Sequence, residues 1–295
     1  MELNATYISR LSRLFSPGVI QEMAKKGKSP IFARTFQETG LLNESLLNGD
    51  VGRAFDAAFS ILKVSGQRNE YVYRSALTHN ILLGRHSLKT ASMLTEFRAG
   101  SSKADLVILN GTSTVYEIKS ERDSLNRLEK QIENYRKVFA KIYIIAAENF
   151  TEELIKNISN DIGIMSLTTR NRIHTIREST SRSELVCPLT ILDSLRTSEA
   201  CEILQALKIP IPDVPNTLIR SSIQERFSTL DPSEVHNLMV KTLKRTRNLA
   251  SLGSLIEQLP ESLQAAALST TMRRADHERL VNAVRTPFNK AMSWA

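Results

Sequence analysis

The most informative chemistry in this chain sits in one short string. Asp105 is followed twelve residues later by Glu117, and Glu117 by Lys119, with Ile118 between them. Two carboxylates brought side by side repel, and are costly to keep ionised unless a cation lies between them. Hard carboxylate oxygens suit Mg²⁺, which keeps several waters and takes one or two carboxylates plus a phosphate. A lysine next to such a metal can orient a water and stabilise charge on a phosphoryl group.

The surrounding sequence predicts the elements that would position these groups. Ala104–Leu109 and Thr114–Lys119 are apolar strand patterns separated by Asn110-Gly111, a strong hairpin signal. Alternation along the second strand puts Glu117 and Lys119 on one face, and Tyr116 and Ile118 on the other. A helix over Glu70–Leu83, ended by Gly84, precedes a strand over Ser92–Arg98. A second helix is expected from about Ser124 to Lys141, with Leu125, Leu128, Ile132, Tyr135 and Phe139 in one stripe. Asp123 or Ser124 would be its N-cap. The continuous apolar run Ile142–Ala147 reads as a buried central strand. Ile162–Leu167 and Arg172–Ile176 add two short strands. The order α-β-β-β-α-β, with extra strands, predicts an α/β fold. Helical patterns flank it, giving three expected regions: 1–65 helical, 66–180 core, 181–295 helical. A break is read at Ser65-Gly66-Gln67-Arg68-Asn69, and a stiff linker at Pro210, Pro212 and Pro215.

With these elements in place, the Asp105, Glu117-Ile118-Lys119 pattern resembles the PD-(D/E)XK nuclease superfamily. Gln131 and Tyr135 on the following helix match the Gln-x-x-x-Tyr motif of its RecB-like branch. The string from Glu117 to Phe139 is also similar to a group of stand-alone bacterial and phage proteins of that superfamily. The resemblance implies a restriction-endonuclease-like mixed sheet and a metal-dependent nuclease hydrolysing phosphodiester bonds, most readily in DNA, in phage-defence or mobile-element biology. It implies Asp105, Glu117, Lys119, Gln131 and Tyr135 as catalytic. Mg²⁺, with Mn²⁺ as a substitute, would be held by Glu70, Asp105, Glu117 and the Ile118 carbonyl. Glu96 is a second candidate for the extra acid in place of Glu70. The position before Asp105 is Ala104, where the family name has proline.

Composition narrows the classes. The 295 residues carry 39 basic and 31 acidic side chains, a net charge of +8 that suits a polyanionic partner such as nucleic acid. Arg122 and Arg127 could reach phosphates near the site, and the Lys241–Arg247 run carries four positive charges. Two cysteines and five unclustered histidines give no disulfide framework and no zinc site. No apolar run is long enough to span a membrane, and no signal pattern opens the chain, so a cytoplasmic protein is expected. A homodimer or a regulatory protein partner is compatible with the sequence. The competing reading is a catalytically silent nucleic-acid-binding or regulatory protein that retains the nuclease fold.

Overall fold

The computed structural model describes residues 5–41, 44–64, 66 and 68–295. Two residues of the expected break, Ser65 and Gln67, lie outside the described residues. Helices α1 (Ala5–Arg13), α2 (Pro17–Lys26), α3 (Pro30–Thr39), α4 (Glu44–Leu47) and α5 (Val51–Leu62) precede α6 (Glu70–Leu77), which runs on into a π-helical segment, Thr78–Leu83. Strands β1 (Ser92–Ala99), β2 (Ser102–Leu109) and β3 (Ser113–Lys119) follow. Then come α7 (Leu128–Arg136), β4 (Lys141–Ala146), α8 (Thr151–Asn157), β5 (Gly163–Leu167) and β6 (Ile173–Arg177).

The fold is therefore α/β, as the sequence predicts. Its six-stranded sheet has the order β1-β2-β3-β4-β5-β6, with β3, β4 and β5 parallel and the other pairs antiparallel. Parallel neighbours need a crossover, and α7 and α8 supply the two here. Right-handed crossovers stepping the same way across a sheet leave both helices on one face. Leu128, Ile132 and Leu154 accordingly share one apolar cluster with Val107, Val115 and Ile144.

That cluster is completed by α9 (Pro188–Ser194), α10 (Thr197–Ala206), α11 (Asn216–Phe227) and α12 (Pro232–Thr246). The opposite face, carrying Leu106, Ile108, Tyr116 and Ile118, is covered by α1–α6 together with α13 (Gly253–Ile256), α14 (Glu261–Leu268), α15 (His277–Val284) and α16 (Phe288–Ala291). Among the described residues no helix is long and apolar enough to cross a membrane.

One local expectation is corrected. The helix predicted from Ser124 to Lys141 spans only Leu128–Arg136. At its start, the Asp123 carboxylate accepts from the Ser120 N–H and hydroxyl, at 2.9 and 2.7 Å, so it closes a turn instead of capping a helix. Ser124 does not cap either, because Arg127 occupies that position. At the other end Ala140 donates its N–H to Ser113 Oγ at 3.1 Å, and the chain is already extended for β4 at Lys141.

Candidate functional site

The site forms where the pleat of the sheet is broken. Met93 on β1 and Leu106 on β2 pack on one face; Phe97 and Ala104 pack on the other. Residues an even number of positions apart should share a face, so both strands switch sides in the rung between them. That rung holds Glu96 and Asp105. Glu96 adopts a left-handed backbone, φ 52°, which is uncommon for a residue with a side chain. The β2–β3 ladder stops at Leu106 and Tyr116. Beyond it the Asp105 carboxylate takes the place of a main-chain acceptor, receiving the Ile118 N–H at 2.8 Å.

Glu117 and Lys119 point to the α7 side, as their alternation predicts, and are 1% and 6% exposed. Lys119 Nζ donates to Glu117 Oε1 at 2.8 Å and to Gln131 Oε1 at 3.0 Å. Gln131 Nε2 donates to the same Glu117 oxygen at 2.6 Å. The Tyr135 hydroxyl lies 2.6 Å from Glu117 Oε2 and 2.8 Å from the Lys103 carbonyl oxygen. Four of the five residues expected to be catalytic thus form one closed network, with both Glu117 oxygens engaged by protein donors. Burial, then the Glu117 charge, pushes the Tyr135 phenol well above its ordinary range, so it stays a donor.

Asp105 stands apart from this network. Its carboxyl is raised from 3.8 to about 8, first by burial and then by the nearby Glu117 charge. The Ile118 N–H and Lys119 oppose the rise without cancelling it. The neutral form of the carboxyl is thereby favoured, which lowers the negative charge on the floor of the site.

The expected metal ligands are divided. Glu70, Glu96 and Asp105 bring carboxylate oxygens within 4.8 Å of one another, so both candidates for the extra acid reach Asp105. Hard oxygens of this kind fit a divalent cation. Glu70 begins α6 behind the Asn69 cap and also pairs with Arg74 one turn on. Glu117 is outside that group, because its oxygens are held by Lys119, Gln131 and Tyr135.

Above the acids opens a cleft of about 430 Å³, lined by Glu96, Ser101, Lys103, Asp105, Arg127 and Gln131, among others. Lys130 also stands on its wall. The sequence singled out Arg127 but not Lys103 or Lys130. The only signal for Lys103 was its closeness to Asp105 in sequence, since the break in the pleat at Asp105 defeats the alternation there. Two of the four cations in the Lys241–Arg247 run are committed elsewhere. Arg247 pairs with buried Glu199 at 2.6 Å and lies over the Phe97 ring, and Arg245 pairs with Glu202.

Comparison with known proteins adds the family. The family model described as Bacteriophage P4 protein cII matches residues 63–274. A curated relative, protein cII of Enterobacteria phage P4, is 29% identical over 155 residues, covering 51% of this chain. The match spans 57% of that relative's length. A solved structure of a Silicibacter pomeroyi protein of unknown function overlays with a TM-score of 0.31 at 18% identity, over 48% of this chain and 90% of that one. An overlap that low carries no argument about the site. The family match overturns the expectation of a metal-dependent nuclease and hydrolase. The matching family and the phage relative are described as protein cII and not by phosphodiester cleavage, and the non-catalytic alternative fits them better.

Proposed function

We propose, because the chain belongs to the bacteriophage P4 protein cII family, that it is a regulatory protein that binds nucleic acid without cutting it. The observation that carries this reading is the closed Glu117–Lys119–Gln131–Tyr135 network. Its hydrogen-bonding capacity is spent on tying β3 to α7. Buried polar groups satisfied in this way rigidify the layer they join. Lys119 is anchored between two acceptors, so it serves as a strut.

The cleft beside the network supplies the binding surface. Lys103, Arg127 and Lys130 present cations at its wall, and Ser101 adds hydroxyl capacity. Such groups contact phosphates and set the position of a nucleic acid without reading its bases. Protonated Asp105 lessens repulsion from the floor. Mg²⁺, when held by Glu70 and Glu96, with Asp105 joining them only on losing its proton, would neutralise that floor and let a phosphate approach.

The test is fluorescence anisotropy of labelled duplex DNA against salt, with Mg²⁺ or EDTA. Each phosphate contact contributes roughly 0.9 to the salt slope. Replacing Lys103, Arg127 and Lys130 together by alanine should lower the slope by about 2 to 3. The DNA should be recovered intact in every arm. An unchanged slope, or no binding by the parent protein, overturns the proposal.

A further inference from the structure

We infer that the groove between α7 and α8 docks a basic amphipathic helix from a partner protein. The groove encloses about 400 Å³ and shares no lining residue with the cleft above Asp105. Its floor is aliphatic, made by Leu128, Ile132, Leu154 and Ile158. Its rim is acidic, with Glu129 and Glu133 on α7 and Glu153 on α8, all exposed. The one rim cation, Arg136, is committed to Asp161 through both guanidinium nitrogens.

The charge pattern identifies the occupant. The chain as a whole is at +8, yet this groove concentrates acids of one sign. Glu129 and Glu133 are four residues apart on one helix face, where like charges repel. Glu133 also lies in the last turn of α7, where an acid opposes the helix dipole. Glu129 and Glu153 sit in the first turns of their helices, where the dipole favours an acid. Among the described residues, however, no side-chain cation pairs with Glu129, Glu133 or Glu153. An apolar trough between two helices, edged by acids without a paired cation, is complementary to a helix with aliphatic side chains on one face and lysine or arginine beside them. That is the helix-in-groove mode of recognition. Polyanions are repelled by this rim, so the groove and the nucleic-acid cleft serve different partners.

The experiment titrates the full chain into a fluorescein-labelled synthetic helix carrying leucine on one face and lysine on the other. A scrambled peptide of the same composition and a glutamate-for-lysine peptide run alongside. The first should bind saturably, and the other two at least about tenfold more weakly, a difference of about 1.4 kcal/mol. The triple variant Glu129→Gln, Glu133→Gln, Glu153→Gln should lose at least about tenfold affinity for the first peptide. Its thermal melt should not fall and its DNA affinity should not weaken, since all three side chains are exposed, none lines the cleft, and their loss removes repulsion within the rim and toward DNA. Equal binding of the scrambled peptide, or undiminished binding by the triple variant, overturns the inference. So does groove-dependent self-association in sedimentation equilibrium, which would make a second copy the occupant.

Discussion

Replacing Asp105 by asparagine should stabilise the protein, and the gain should depend on pH. In the folded chain the Asp105 carboxyl is raised from 3.8 to about 8 by burial and by Glu117. The folded state therefore keeps a proton that the unfolded chain releases near pH 4. Across that window the unfolded state binds fewer protons, so stability falls as pH rises. The contribution of the neutral carboxyl is fully present below the unfolded value and is lost as pH rises through the folded one. One pKa unit is worth about 1.36 kcal/mol, so the rise from 3.8 to about 8 sets a ceiling of roughly 5 to 6 kcal/mol. Asp105 is partly exposed, and solvent relaxation reduces the gain to about 2 to 4 kcal/mol. Asparagine keeps an oxygen to receive the Ile118 N–H, so the bond that ends the β2–β3 ladder survives. Urea unfolding of both proteins at about pH 4.5 and about pH 8.5 measures the effect. The variant should gain little at the acid end and the full amount at the alkaline end. An equal gain at both, or a loss at the alkaline end, would refute the account of Asp105 as a strained, protonated acid.

Other expectations follow from the same geometry. Tyr135→Phe removes the donor to Glu117 Oε2 and should cost about 1 to 3 kcal/mol in urea unfolding, the penalty for an unsatisfied buried acceptor. Arg247→Met strands buried Glu199 and should cost about 3 to 5 kcal/mol near neutral pH. Because Arg247 and its neighbours hold Glu199 below its ordinary range, that difference should shrink as pH falls through the folded value, which thermal melts across the acid range would show. Gly100→Ala meets two obstacles, a φ of 58° and a Cβ that collides with Asn134. Asn134 ties α7 to Ser101 and Ser102, so a loss of about 1 to 3 kcal/mol is expected in denaturant titration.

Much of the frame could be read from residue types. The Asn110-Gly111 hairpin, the alternation of Glu117 and Lys119 with Tyr116 and Ile118, and the apolar run of β4 are local signals, and each produced its element. Strand alternation places Glu117 and Lys119 together; Gln131 and Tyr135 are joined to them only by the resemblance to a nuclease motif, since the helix period alone assigns Tyr135 to the apolar stripe. The switch of faces at Glu96 and Asp105 was not legible. A left-handed glutamate inside a strand has no propensity signal; it is imposed by the neighbours that fix both strands. Helix α8 was missed because its seven residues are polar except for Leu154 and Ile155. The ends of α7 were misplaced because a side-chain turn from Asp123 and the start of β4 override a continuous apolar stripe. Function was the least legible level, since the same side chains that could hold a metal can also brace a helix against a sheet.

The face of the sheet shared by the two ends of the chain bears on how the protein is made. Val51 donates its N–H to Thr286 and Phe288 donates its N–H to Gly49, both near 3 Å. The aromatic residues Phe32 and Phe36 meet Phe288 across that seam. During synthesis the first helices therefore emerge more than two hundred residues before their cover. The strands themselves pair with sequence neighbours and close early, whereas this seam closes last. Until then Phe32 and Phe36 pack on each other and Phe32 on Phe55, but Phe32 and Phe36 lack the Phe288 ring that covers them. A ribosome paused before Leu255 would hold all six strands and the N-terminal helices but not α13–α16, leaving part of that apolar face without its cover, a state that favours aggregation.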